Sequence, residues 1–233
     1  MSALLAVAEL RKAFGGVRAV DGIDLSLEAG MIFGIIGPNG SGKTTLLGLL
    51  SGTFKPTSGT ITLNGRRIDG ISAHRTVAAG VARTFQTTRL FMRWTLRRNF
   101  ALAAQIGGAA IATDAVLALT GLEHRADSPC AALSNAEQRL AMIAVALATN
   151  PRLLLLDEPA VGMSPAEAGA LGRVIRRIRD ERGVTVVIVE HNMHLMMGLA
   201  DRIMAMNAGK QLALGTPDEI RNDAGVIAAY LGA

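Results

Sequence analysis

The chain has 233 residues, half of them hydrophobic, with one cysteine, Cys130, and a formal net charge of +5. That length suits one domain with at most a smaller lobe, and a single cysteine excludes a disulfide framework or a cysteine-built zinc site. Aromatic residues make up 3%, which argues against a nucleic-acid partner held by base stacking and leaves an anionic ligand or membrane surface to match the charge.

The opening MSALLAVAELRKAF has neither a basic start nor a cleavage-like end, so no signal peptide is expected. Residues 5–10 and 18–27 alternate as antiparallel strands do. MIFGIIG, 31–37, reads as a short buried strand closing on glycine, with a helix through TTLLGLLSG after it. GTITLNGRR, 59–67, alternates again and carries Asn64-Gly65, a hairpin turn signal.

From about 88 to 149 the pattern is helical, with no convincing strand. Inside it, FALAAQIGGAAIATDAVLALTGL (100–122) has the length of a membrane span, but Gln105, Asp114 and the Gly107-Gly108 break favour two short helices. PRLLLLDEP is a continuous apolar strand of the doubly covered parallel kind. A helix from Ser164 to Arg182 follows, with Pro165 in its first turn, and VTVVIVEH is a second buried strand. RIMAMNAGKQLALG reads as a hairpin, and two short helices end the chain. Met193, Met196, Met197, Met204 and Met206 read as core filler. Strand–helix alternation around an all-helical insert predicts an α/β domain over 1–233, with a core of 1–87 and 150–233 and a helical lobe of 88–149.

GPNGSGKT, 37–44, fits the phosphate-binding pattern G-x-x-x-x-G-K-[ST], between a strand and a helix as that loop requires. Its glycines let successive N–H groups curl round a phosphate; Lys43 supplies a cation and Thr44 a hydroxyl for Mg²⁺. The candidate nucleotide-binding residues are Gly37, Pro38, Asn39, Gly40, Ser41, Gly42, Lys43, Thr44 and Thr45. LLLLDEP brings Asp157 to a strand's carboxyl end, where open α/β sheets bind ligands, as a Mg²⁺ residue, and Glu158 beside it as a general base. His191, at the end of the next strand, is a candidate to orient the γ-phosphate or the water. Glu190, His191 and His194 together lack a complete metal-ligand set. In LSNAEQRL, 133–140, Ser134 and Glu137 form a capping box, and a capped helix start is also a ready anion site.

Phe14, GPNGSGKT, Gln86 in ARTFQ, LSNAEQ, LLLLDEP with VGMSP after it, and His191, in that order, resemble the ATP-binding cassette (ABC) of ABC transporters. The resemblance implies a P-loop NTPase with a RecA-like mixed sheet core, an antiparallel β subdomain and a helical subdomain. It implies Mg²⁺-dependent ATP hydrolysis at two sites of a head-to-tail cassette dimer. Phe14 is then similar to the adenine-stacking aromatic, Gln86 to the γ-phosphate sensor that touches Mg²⁺ along with Thr44 and Asp157, and His191 to the switch histidine. Ser134 and the backbone at Ala136 match the signature that caps the partner's γ-phosphate.

FGGVRAVDGIDLSLEAG, GVARTFQTTRLF, DEPAVGMSP, VEHNMHLMMGLADRI and GTPDEIRNDAGVIAAYLG look closest to the subunits that import branched-chain amino acids. That implies a second cassette, usually a different protein but in some systems a copy of the same one. It also implies integral membrane permease subunits, with a periplasmic or extracellular solute-binding protein acting indirectly, and a peripheral position on the cytoplasmic face of the inner membrane. Three readings stand beside it: an importer cassette for urea or another small solute, a largely inactive nucleotide-gated partner cassette, and a soluble ABC ATPase of translation or DNA repair. A single short cassette speaks against the last. The signature departs from the family's usual Leu-Ser-Gly-Gly-Gln at Asn135, Ala136 and Glu137, and Val145 stands where arginine is usual. A Glu137 carboxylate near a triphosphate is expected to weaken that clamp. Leu90, Phe91, Met92 and Trp94 are expected to form either a docking face for the permease or part of the lobe core.

Overall fold

The computed structural model describes residues 3–107 and 112–231. Its centre is a six-stranded sheet of order β10-β9-β3-β8-β7-β6, made of β3 (Ile32–Ile36), β6 (Val81–Arg83), β7 (Leu153–Asp157), β8 (Thr185–Val189), β9 (Arg202–Asn207) and β10 (Lys210–Gly215). All neighbours run parallel except the β9–β10 hairpin, as RIMAMNAGKQLALG suggests. The second sheet is antiparallel, of order β2-β1-β4-β5, from β1 (Leu5–Phe14), β2 (Val17–Leu27), β4 (Ser58–Leu63) and β5 (Arg66–Arg67). Asn64 and Gly65 join its last two strands at φ 49° and 75°, the pair of positive values that a type I′ turn needs.

The apolar runs are continuous because the central sheet is buried on both faces. Leu154, Leu156, Val186 and Ile188 point into one core. Leu153, Leu155, Val187 and Val189 point into the other, shared with the antiparallel sheet and with α1 (Lys43–Leu50). The first core continues into α3 (Leu96–Gly107), α4 (Thr113–Thr120), α5 (Asn135–Leu147) and α6 (Pro165–Arg182). The methionines behave as filler: Met196, Met204 and Met206 are fully buried, and Met193 and Met197 pack against the core.

The 100–122 stretch divides into the C-terminal part of α3 and the whole of α4, the glycine break running into residues 108–111, which lie outside the described part. Among the described residues no helix is long and apolar enough to cross a membrane. A six-residue helix, α2 (Ala73–Ala78), buries only Thr76, so the sequence offers no amphipathic period to reveal it. β1 also runs on to Phe14, past the expected end at residue 10, because an irregularity at Glu9 (φ 47°) breaks the alternation without ending the pairing. The chain closes with α7 (Met193–Leu199), the β9–β10 hairpin, α8 (Pro217–Asn222) and α9 (Ala224–Leu231).

Candidate functional site

Between β3 and α1, residues 37–42 form a loop in which Gly37, Gly40 and Gly42 all have positive φ. The requirement is strict at Gly42, where φ is 104° and a Cβ would lie 2.2 Å from the carbonyl oxygen of Ala19, and equally at Gly37, where it would lie 2.2 Å from that of Met206. The loop borders a cavity of about 260 Å³ lined by Ala19, Asn39, Gly40, Gly42, Lys43, Thr44, Thr45, Gln86 and Glu158. Lys43 is buried, and its Nζ donates to the carbonyls of Gly37 and Pro38 at 2.7 and 3.0 Å. Burial lowers its pKa, against the attraction of Glu158 and Asp157. An ammonium held in place by two carbonyls is ready to exchange them for phosphate oxygens.

Strand β7 delivers Asp157 and Glu158 beside the loop. Asp157 is buried, its Oδ2 accepts from Nη2 of Arg83 at 2.8 Å, and its Oδ1 has no partner. The Ser41 hydroxyl is likewise buried without a partner. Glu158 holds φ 48°, an uncommon conformation for a side-chain-bearing residue, and its N–H donates to Val189 at 2.9 Å. One Glu158 oxygen lies 3.7 Å from Nδ1 of the exposed His191. Behind them Glu190 is fully buried, accepting from the N–H groups of Ala160 at 2.7 Å, His191 at 3.2 Å and Asn192 at 3.3 Å. Burial raises its pKa, although these donors oppose the rise. Glu190 therefore ties the segment after β7 to the one after β8, and it is not available as a metal ligand. An orphaned carboxylate oxygen with the Thr44 hydroxyl and the Gln86 and Glu158 side chains nearby is a set of hard oxygen donors, which fits Mg²⁺.

The N-terminus of α5 contributes no residue to the lining of this cavity. Ser134 caps it, accepting from the Glu137 N–H at 3.2 Å, while Oε2 of Glu137 accepts from the Ser134 N–H at 2.7 Å. Oε1 of Glu137 accepts from Nε of Arg125 at 2.7 Å. The Ser134 amide first, and then Arg125, holds the Glu137 carboxyl below its ordinary range. The expected repulsion of a phosphate is thus offset by a guanidinium that the linear sequence does not place there. Asn135 stands against Gly162, so the turn after β7 and the start of α5 are neighbours.

A family model described as "ABC transporter" matches residues 20–161. The chain belongs to the ABC transporter family. A second model, described as "Branched-chain amino acid ATP-binding cassette transporter", matches residues 210–233 of the cassette. The cassette is 39% identical to the high-affinity branched-chain amino acid transport ATP-binding protein LivG of Salmonella typhimurium, over 98% of each chain. It is 38% identical to BraF of Pseudomonas aeruginosa, of the same description and coverage. With the lipopolysaccharide export system ATP-binding protein LptB of Escherichia coli the identity is 33%, over 99% of this chain and 98% of the other. Among solved structures, a cassette of an ABC transporter in its ADP conformation superposes with a TM-score of 0.91 at 26% identity, covering both chains fully. A nucleotide-free cassette gives 0.89 at 26% identity, over 99% of this chain and all of the other.

The ABC cassette thus brings most of its expected nucleotide residues together, from the loop at 37–45 to Gln86, Asp157, Glu158 and His191. Phe14 lies outside the lining of the cavity, at the exposed end of β1, edge-on to Phe54 at 5.3 Å. Ser134 and Ala136 sit at the N-terminus of α5 and do not line the cavity. Reading by motif overlooked Arg83 and Arg125, weighed Glu190 only as part of an incomplete metal set, and missed Arg139, which donates to the Gln86 carbonyl. Arg83 had a signal: a lone arginine in the short strand VAR of a buried parallel sheet needs a counter-charge.

Proposed function

We propose that this chain is the ATP-hydrolysing subunit of an ABC importer for branched-chain or other hydrophobic amino acids. The observation that carries the reading is the single cavity in which the glycine-lined loop and Lys43 face Glu158, the residue that follows Asp157 at the end of β7. The names of LivG and BraF, and the match of the C-terminal segment, support the class of solute.

In this reading residues 37–45 bind the triphosphate through backbone N–H groups, and the Lys43 ammonium exchanges its carbonyl acceptors for oxygens of the β- and γ-phosphates. Phe14 offers its exposed ring to the adenine. Thr44, Gln86 and Asp157 are the residues that would hold Mg²⁺, which supplies charge neutralisation on the phosphates when bound. Glu158 orients the attacking water and accepts its proton, in a backbone conformation fixed by the Val189 contact. His191, next to Glu158, orients the γ-phosphate. Ser134 and the backbone at Ala136 cap the γ-phosphate held by a second cassette, which is a different chain or another copy of this one.

Residues 1–87 and 150–233 serve as the catalytic core, and 88–149 carry the signature. The partners are integral membrane permease subunits, with a solute-binding protein acting through them, and the chain sits at the cytoplasmic face of the membrane. Lys43→Ala is expected to weaken ATP binding by at least tenfold. Glu158→Gln is expected to keep binding and lose hydrolysis, measured by nucleotide titration and phosphate release. Unchanged hydrolysis by the reconstituted complex carrying Glu158→Gln would point instead to an inactive partner cassette, and leucine uptake by the same complex tests the solute.

A further inference from the structure

Arg83 lies on β6 beside the end of β7, and its pair with Asp157 takes no part in the chemistry above. The two side chains are 7% and 3% exposed. Nη2 donates to Oδ2 of Asp157 at 2.8 Å, Nη1 donates to the Ser51 hydroxyl at 3.3 Å, and the guanidinium lies over the Phe85 ring at 5.0 Å. Three contacts on different elements therefore fix one cation in place. The carboxylate it faces has one oxygen committed and the other, Oδ1, buried with no partner.

A carboxylate this deep needs a compensating cation at all times. Arg83 meets that need before any metal ion arrives, and a guanidinium held by a charge-assisted bond to one carboxylate oxygen and by its contacts with Ser51 and Phe85 is not readily replaced. A divalent cation at Oδ1 must then share its ligand with a like charge. We infer that Arg83 is a resident counter-ion of Asp157, which orients the carboxylate with Oδ1 free and holds down the chain's affinity for Mg²⁺. Arg83 is on this account a positioning residue, and the inference rests on the reading of Asp157 as a Mg²⁺ residue.

The test compares the parent chain with Arg83→Gln and Arg83→Lys. ADP binding is titrated in EDTA and across a range of Mg²⁺ concentrations, and thermal melts are recorded under the same conditions. In Arg83→Gln the Mg²⁺ concentration giving half the full gain in ADP affinity should fall at least threefold, with ADP affinity in EDTA within twofold of the parent. Arg83→Lys, which keeps the charge, should retain the parent's Mg²⁺ requirement. A requirement in Arg83→Gln that is unchanged or higher overturns the inference. If Arg83→Gln has no cooperative melt without ligand, Mg²⁺ with ADP must restore one and ADP in EDTA must not; failure of either condition also overturns it. A parent chain whose ADP affinity ignores Mg²⁺ removes the reading of Asp157 itself, a result distinct from an indifferent Arg83→Gln.

Discussion

Glu137 stands where the family usually has glutamine, and its effect depends on which groups surround it. Its two oxygens are taken by the Ser134 amide and Arg125, so its charge is spent inside the α5 terminus. Its folded pKa lies below the unfolded one. The stabilisation is therefore present above the unfolded value, about 4.3, and is lost as pH falls through the folded value. Glu137→Gln should melt at a lower temperature than the parent at pH 7, and the gap should begin to shrink near the unfolded value and close as pH falls through the lower folded value. A gap that persists in acid would show that the carboxylate is not the cause. Ser134 and Asn135 remain exposed, so the helix start can be a cap and an anion site together.

At the scale of elements, α6 shows how local signals set a boundary that function uses. Ser164 caps it, Glu167 completes the capping box, Pro165 occupies the first turn, and Gly183 ends it at φ 63°. Ser164→Ala should cost about 1 kcal/mol in denaturant unfolding. Because the segment between Glu158 and Ser164 is held between β7 and this cap, the variant should also lower hydrolysis more than ATP affinity. The loop at 37–42 is constrained differently. Its conformation depends on the approach of Ala19 and Met206 backbone carbonyls, which come from distant parts of the chain.

For the molecule as a whole, the expected docking face divides into two. Leu90 is buried and belongs to the core, whereas Phe91 is 54% exposed and stacks on Trp94 with ring centroids 4.5 Å apart. Arg98 lies over the Trp94 ring at 3.9 Å. An exposed Phe91 stacked on a half-buried Trp94 under a guanidinium is suited to receive a helix or loop from a membrane subunit. Trp94→Ala should abolish co-purification with the permease subunits while leaving ATP affinity within twofold; retained co-purification would assign the pair to the lobe alone.

The amino-acid order alone determined the phosphate loop, the strand bearing Asp157 and Glu158, the helical insert and the terminal hairpin. Each of these is written in neighbouring residues whose spacing carries the physics. It also showed Ser134 and Glu137 as a cap, because that contact spans three residues. Folding decided what depends on residues far apart: that Arg83 neutralises Asp157, that Arg125 neutralises Glu137, that Glu190 accepts from two loops, and that Leu90 turns inward while Phe91 does not. Short elements such as α2 also waited for the structure, since six residues with one buried side chain carry no period. A charge in a linear sequence has no visible partner until the chain brings one within about 3 Å, and electrostatic energy depends on that distance.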